Sequence, residues 1–156
     1  TPLQLAVMTA RIANGKESVV PSLLSRPKKD GQNFAPLDIS EAALAVIRRG
    51  MSAVLYGGAG TANRYKLDKK YGGMAGKTGT VQVKRITLAQ REKGITKNID
   101  RPWAERDHAL FVAYAPLKNP RYAISVVVEH GGSGSSAAAP IARDILAKTI
   151  AERGLT

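Results

Sequence analysis

Met74-Ala75-Gly76-Lys77-Thr78-Gly79-Thr80-Val81-Gln82-Val83 decides the fold, because it sets one cation, two hydroxyls and two glycines on a run with strand-like alternation. Such a run specifies a polar site built onto a strand. Gly76-Lys77-Thr78 also matches the second half of a phosphate-cradling loop, G-x-x-x-x-G-K-[ST]. Two features exclude that reading. The position of the first glycine holds Tyr71. A phosphate loop must also open a helix whose N-terminal amides face the anion, whereas Thr80, Val81, Val83 and Thr87 are β-branched and favour a strand.

Each residue of Lys77-Thr78-Gly79-Thr80 suits capture of an anion at a strand edge. Lys77 supplies a fixed positive charge where a carboxylate would arrive, and Thr78 and Thr80 offer hydroxyl donors to the same group. Gly79 carries no Cβ, so a ligand backbone can lie directly against the strand. The Thr80 amide is then placed to donate to a developing oxyanion, with the second donor coming from the nucleophile's own amide. The run resembles the K-T-G element that edges the active site in penicillin-binding proteins and serine β-lactamases.

A chain of 156 residues with 44% hydrophobic content is the size of one ordinary domain and can bury a core. It contains no apolar run of membrane length and no signal-like segment. With no cysteine and two separated histidines, neither disulfides nor a metal constellation is expected, and no cofactor. The net charge of +12, from 24 basic and 12 acidic residues, leaves a second functional class open: a non-catalytic basic module for nucleic acid or an anionic wall polymer. Against nucleic acid, the basic pairs Lys28-Lys29, Arg48-Arg49, Lys69-Lys70 and Lys84-Arg85 are scattered, and aromatic residues make up only 5%.

The periodicity predicts helices over 2–14 and 40–55, strands at about 75–85, 108–116 and 121–130, and a last helix at about 138–152. Thr1-Pro2 caps and opens the first helix, with Leu5, Met8, Thr9 and Ile12 on one face and Asn14-Gly15 closing it. Leu44, Ile47, Met51, Val54 and Leu55 form the stripe of the second, from which Arg48 and Arg49 fall away. Gly57-Gly58-Ala59-Gly60 reads as a flexible loop, and Asn63 after it as a turn former rather than part of an S-x-N site element. Residues 85–107 are too long for a tight hairpin, so they form a functional or mobile loop; Leu88–Lys93 is a candidate helical turn. Trp103 is the candidate anchor folding that loop back, and whether it also lines a groove is open. The apolar runs 109–115 and 122–129 form an antiparallel hairpin buried on both faces. His108 and His130 at its ends suit structural hydrogen bonding. Gly131–Ser136 reads as a flexible turn, and Ile141, Ile145 and Ile150 as the inward face of the last helix. Ser25-Arg26-Pro27-Lys28 fits S-x-x-K, the nucleophile and base motif. It lacks the required helix, because Pro27 interrupts it and Lys29-Asp30-Gly31-Gln32 follows as loop.

Met74–Val83, Ser40–Val46, Arg106–Pro116 and Glu129-His130-Gly131-Gly132 closely resemble, in order and spacing, the penicillin-binding protein 2 family of class B peptidoglycan D,D-transpeptidases. The resemblance covers essentially the whole chain and matches the C-terminal part of the transpeptidase domain. It implies an α/β fold, an antiparallel sheet covered by helices, in which Lys77, Thr78, Gly79 and Thr80 bind substrate. It also implies that no catalytic residue lies in the chain, the serine and lysine being expected upstream. The substrates implied are the peptidoglycan stem peptide and β-lactams. The partners implied are the rest of the transpeptidase domain, a membrane glycosyltransferase and rod-shape factors, with no nucleic acid. The implied setting is the periplasmic face of the bacterial inner membrane, reached through an N-terminal anchor absent from this chain.

Overall fold

The computed structural model describes residues 1–23, 34–92, 94 and 96–154. Three antiparallel strands, β1 (Ala75–Val81), β2 (His108–Ala115) and β3 (Tyr122–Val128), form a sheet in the order β1-β2-β3. Helices α1 (Pro2–Asn14), α2 (Glu41–Tyr56) and α4 (Ala139–Arg153) pack around it, and a short α3 (Leu88–Glu92) lies in the long β1–β2 connection. The fold is α/β with an antiparallel sheet. No helix among the described residues is long and apolar enough to cross a membrane.

Alternation along β2 sorts two cores. Ala109, Phe111, Ala113 and Ala115 are buried on one face, where they meet Ala138, Ala139, Ala142, Leu146 and Ile150 at the start and inner side of α4. Tyr114 points the other way and packs with Ala75, Met51 and Ala13. Burial pushes the Tyr114 phenol above its ordinary value, and Arg48 pulls it part of the way back. Helix α2 straddles the β1 end of the sheet, with Met51 in the second core and Leu55 in the first.

Local chemistry sets the helix ends. Thr1 and Gln4 form a reciprocal capping box on α1, and Gly15 closes it at φ 69° with its amide on the Arg11 carbonyl. Ser40 accepts from the Ala43 amide to start α2. Arg48 does not fall away from the core side as its sequence position suggests. Its Nε donates to the Ile12 carbonyl at 2.8 Å and its Nη2 to Ala13 at 3.2 Å, satisfying the last carbonyls of α1.

Several expected faces shift. Met8, Ile47, Ile141 and Ile145 are exposed by 40–48%. On α4 the inward positions are Ala139, Ala142, Leu146 and Ile150, because small alanines let the helix approach the sheet closely and turn the isoleucines outward. Strand β1 stops at Val81 rather than running to residue 85. Val81 pairs with His108, the first residue of β2, and beyond it the Val83 amide donates to the Asp107 carboxylate instead of a strand partner. The hairpin strands stop at Ala115 and Val128, and they are not buried on both faces. Leu110 and Val112 are only half-buried, and no residue of β3 is fully buried.

Candidate active-site strand

Residues Lys77 to Thr80 lie in β1, paired as Lys77↔Val112, Thr78↔Phe111, Gly79↔Leu110 and Thr80↔Ala109. No helix begins at Thr78, which removes the phosphate-loop alternative. As the terminal strand of the sheet, β1 has one edge without a strand partner among the described residues. Lys77 and Gly79 point to the half-open face beside Val112 and Leu110. Among the described residues Lys77 has no carboxylate partner; its Nζ donates to the Thr78 carbonyl at 2.8 Å. The Thr80 side chain is exposed, with no hydrogen-bond partner among the described residues.

The two glycines of the strand differ in what they permit. A Cβ on Gly76 would stand 2.6 Å from both the Phe111 ring and the Val112 carbonyl, so that glycine is demanded by packing. A Cβ on Gly79 would meet only Leu110, at 3.3 Å from its Cβ, so the space over Gly79 is open to an incoming chain. From the opposite side Gly79 is held in place. Gly134 is buried, and a Cβ there would collide with the carbonyls of Leu110 and Gly79. Gly134–Ala138 is therefore a wide helical turn pressed against β1 and β2, leading directly into α4, and not the flexible turn its glycines suggest.

The loop after α2 is a second correction. Gly60 donates to the Gly57 carbonyl, Ala62 to Val54, and Asn63 Nδ2 to Gly57 at 2.9 Å, so the glycine run is a tight reversal rather than a tether. Asn63 does serve the turn. Thr61, which sequence reasoning set aside with Ala62 and Asn63 as an accidental S-x-N likeness, stands with its hydroxyl 3.0 Å from that of Thr78. The missed signal is that Gly57 and Gly60 both lie where a Cβ would strike carbonyls of the last α2 turn, a constraint invisible without coordinates.

The β1–β2 connection is folded by Asp107 rather than by Trp103. The Asp107 carboxylate accepts from Asn98 Nδ2 at 2.9 Å, from the Val83 amide at 3.3 Å and from Arg101 at 3.5 Å. Its backbone amide donates to Asn98 Oδ1, and its carbonyl accepts from Gly132. Trp103 is 61% exposed and contributes a ring contact with His130, 4.3 Å between centroids. The histidines make hydrogen bonds within the fold: the His130 amide donates to His108 Nδ1 at 2.9 Å, and His130 Nδ1 meets the Arg106 carbonyl at 3.0 Å. The Ser25–Lys28 motif lies outside the described residues.

Residues 1–147 match the family model described as the penicillin binding protein transpeptidase domain. The peptidoglycan D,D-transpeptidase MrdA of Haemophilus influenzae is 34% identical over 154 residues, covering 94% of this chain and 23% of that protein. MrdA of Acinetobacter baumannii is 37% identical over 151 residues, covering 88% of this chain and 20% of the relative. The chain thus spans about a quarter of the length of such relatives. Among solved structures, PBP2 of Pseudomonas aeruginosa in complex with WCK 5153 superposes with a TM-score of 0.68 at 34% identity, over 94% of this chain and 28% of the other. PBP2 of Helicobacter pylori, solved in complex with MreC, gives a TM-score of 0.77 at 30% identity, over 100% of this chain and 25% of the other. With an antiparallel sheet whose edge strand carries Lys77-Thr78-Gly79-Thr80 and a family match over nearly its whole length, the chain belongs to the penicillin-binding protein transpeptidase-domain family.

Proposed function

We propose that this chain is the C-terminal part of the transpeptidase domain of a peptidoglycan D,D-transpeptidase, and that β1 is its substrate-binding edge. The observation that carries the reading is a rigidly backed strand whose polar side chains have few partners among the described residues: Lys77 without a carboxylate, the Thr80 hydroxyl without a hydrogen bond, and open space over Gly79. Polar groups left idle on a fixed scaffold are suited to a ligand. Lys77 attracts the terminal carboxylate of a stem peptide, and Thr78 and Thr80 donate to it. The peptide backbone lies along the edge over Gly79, in the manner of an added strand. The Thr80 amide supplies one oxyanion donor.

In the complete enzyme a serine outside this chain attacks the D-Ala-D-Ala carbonyl and expels D-alanine. The resulting acyl-enzyme is resolved by an amine from a neighbouring stem peptide. β-Lactams imitate the dipeptide and stop at the acyl stage. The enzyme's place is the periplasmic face of the inner membrane, with an anchor, a membrane glycosyltransferase and rod-shape factors as companions.

Mass spectrometry after incubation with a labelled penicillin tests the division of labour. The full-length protein containing this sequence takes up one hydroxylamine-labile label, and the 156-residue chain takes up none. A stoichiometric adduct on the short chain would bring Ser25 back as nucleophile. A full-length protein that takes no label would remove the transpeptidase reading.

A further inference from the structure

We propose that Thr61 is a positioning residue for Thr78, holding the Thr78 hydroxyl so that its proton is presented to the ligand carboxylate. The proposal rests on the reading of β1 as the substrate-binding edge. Its starting point is the 3.0 Å contact between Thr61 Oγ1 and Thr78 Oγ1, made across 17 residues of sequence. Two hydroxyls carry two protons, and one is used between them. When Thr61 donates, both the Thr78 proton and its remaining lone pair are left for a third group. A lone threonine hydroxyl on a strand would instead be free to turn to a neighbouring carbonyl. By holding the Thr78 oxygen in one place, the Thr61 bond narrows that choice before the ligand arrives, which is the preorganisation that anion recognition requires.

The contact is built by the fold rather than left to a mobile side chain. Ala62, next to Thr61, is 1% exposed and donates to the Val54 carbonyl at 3.0 Å. The reversal Gly57–Gly60 is closed by its own hydrogen bond and by Asn63. Neither Gly57 nor Gly60 has room for a Cβ, so the approach of the loop to β1 depends on both. Threonine itself, branched at Cβ, has few rotamers to choose from. The pair also stands where a ligand would pass. A groove of about 330 Å³ is lined by Ala59, Gly60, Thr61 and Lys77, and a second, of about 480 Å³, by Thr61, Arg64, Ser135 and Ser136. Thr61 borders both, beside the cation on one side and against the turn that backs Gly79 on the other.

The test is the second-order rate of acylation of the full-length protein by a labelled penicillin, in a double-mutant cycle. Thr78→Val removes the hydroxyl that meets the carboxylate and lowers the rate about tenfold or more. Thr61→Val keeps the shape, loses the oriented hydrogen bond and lowers the rate about three- to tenfold. Thr61→Ser restores it, because the hydroxyl returns. In the Thr78→Val background, Thr61→Val has no further effect, which loosening of the loop alone would not reproduce. The inference is overturned if Thr61→Val leaves the rate unchanged, if serine fails to restore it, or if the two losses simply multiply. An unchanged rate in Thr78→Val would instead remove the reading of β1, whereas a loss confined to Thr78→Val would remove only the role of Thr61.

Discussion

Two polar regions lie at opposite ends of one connection, the Asn98–Asp107 knot and the Lys77–Thr80 edge, and the chain treats them differently. In the knot, the buried Asp107 is engaged through its carboxylate, its amide and its carbonyl by Asn98, Arg101, Val83 and Gly132. At the edge, Lys77 reaches only a neighbouring carbonyl and the Thr80 side chain has no partner among the described residues. Satisfied polar groups fold a protein, and unsatisfied ones on a rigid support are available to a ligand. The two regions should therefore separate under mutation, the first affecting stability and the second affecting chemistry.

The largest effect on stability is expected from Asp107→Ala. It leaves Arg101 and the Val83 amide without their acceptor in a half-dry setting, at a cost of about 3 kcal/mol. Chemical denaturation should register that loss, and hydrogen exchange at Val83 and Gly132 should accelerate with it. A change near zero would mean that the connection is held by something other than the knot. Gly134→Ala comes next and joins the two regions. Its Cβ would press on the Gly79 and Leu110 carbonyls, so a loss of about 2 kcal/mol is expected, together with slower acylation as Gly79 moves. Full acylation in a destabilised variant would show that the backing of β1 is not needed for chemistry. The smallest effect on stability belongs to Lys77→Ala, within about 0.5 kcal/mol, because an exposed lysine without an ion-pair partner among the described residues holds little together. A large destabilisation there would erase the contrast.

Much of this contrast was legible in the sequence, and the reasons differ by element. The K-T-G strand declared itself through β-branched residues beside glycines and a cation, and the β2–β3 hairpin through two nearly continuous apolar runs. The inward face of α4 did not. Alanines at 139 and 142 carry less hydrophobic signal than Ile141 and Ile145, yet their small size is what lets the helix seat on Phe111 and Ala113. The two glycine-rich stretches were misread for one reason. Glycine marks mobility and close approach alike, and only the neighbours of the missing Cβ separate them: carbonyls of α2 at Gly57 and Gly60, and carbonyls of β1 and β2 at Gly134. Thr61 was hidden by the same ambiguity, since its partner lies on another element.

On the proposed reading, β1 holds the substrate carboxylate through Lys77. The most direct measurement is the second-order rate of acylation by a labelled penicillin for the full-length protein and its Lys77→Ala variant. The variant's rate should fall about ten- to a hundredfold with an unchanged unfolding transition, since one charge-assisted contact is lost where the ligand is held for attack; an unchanged rate would mean that Lys77 does not hold the carboxylate.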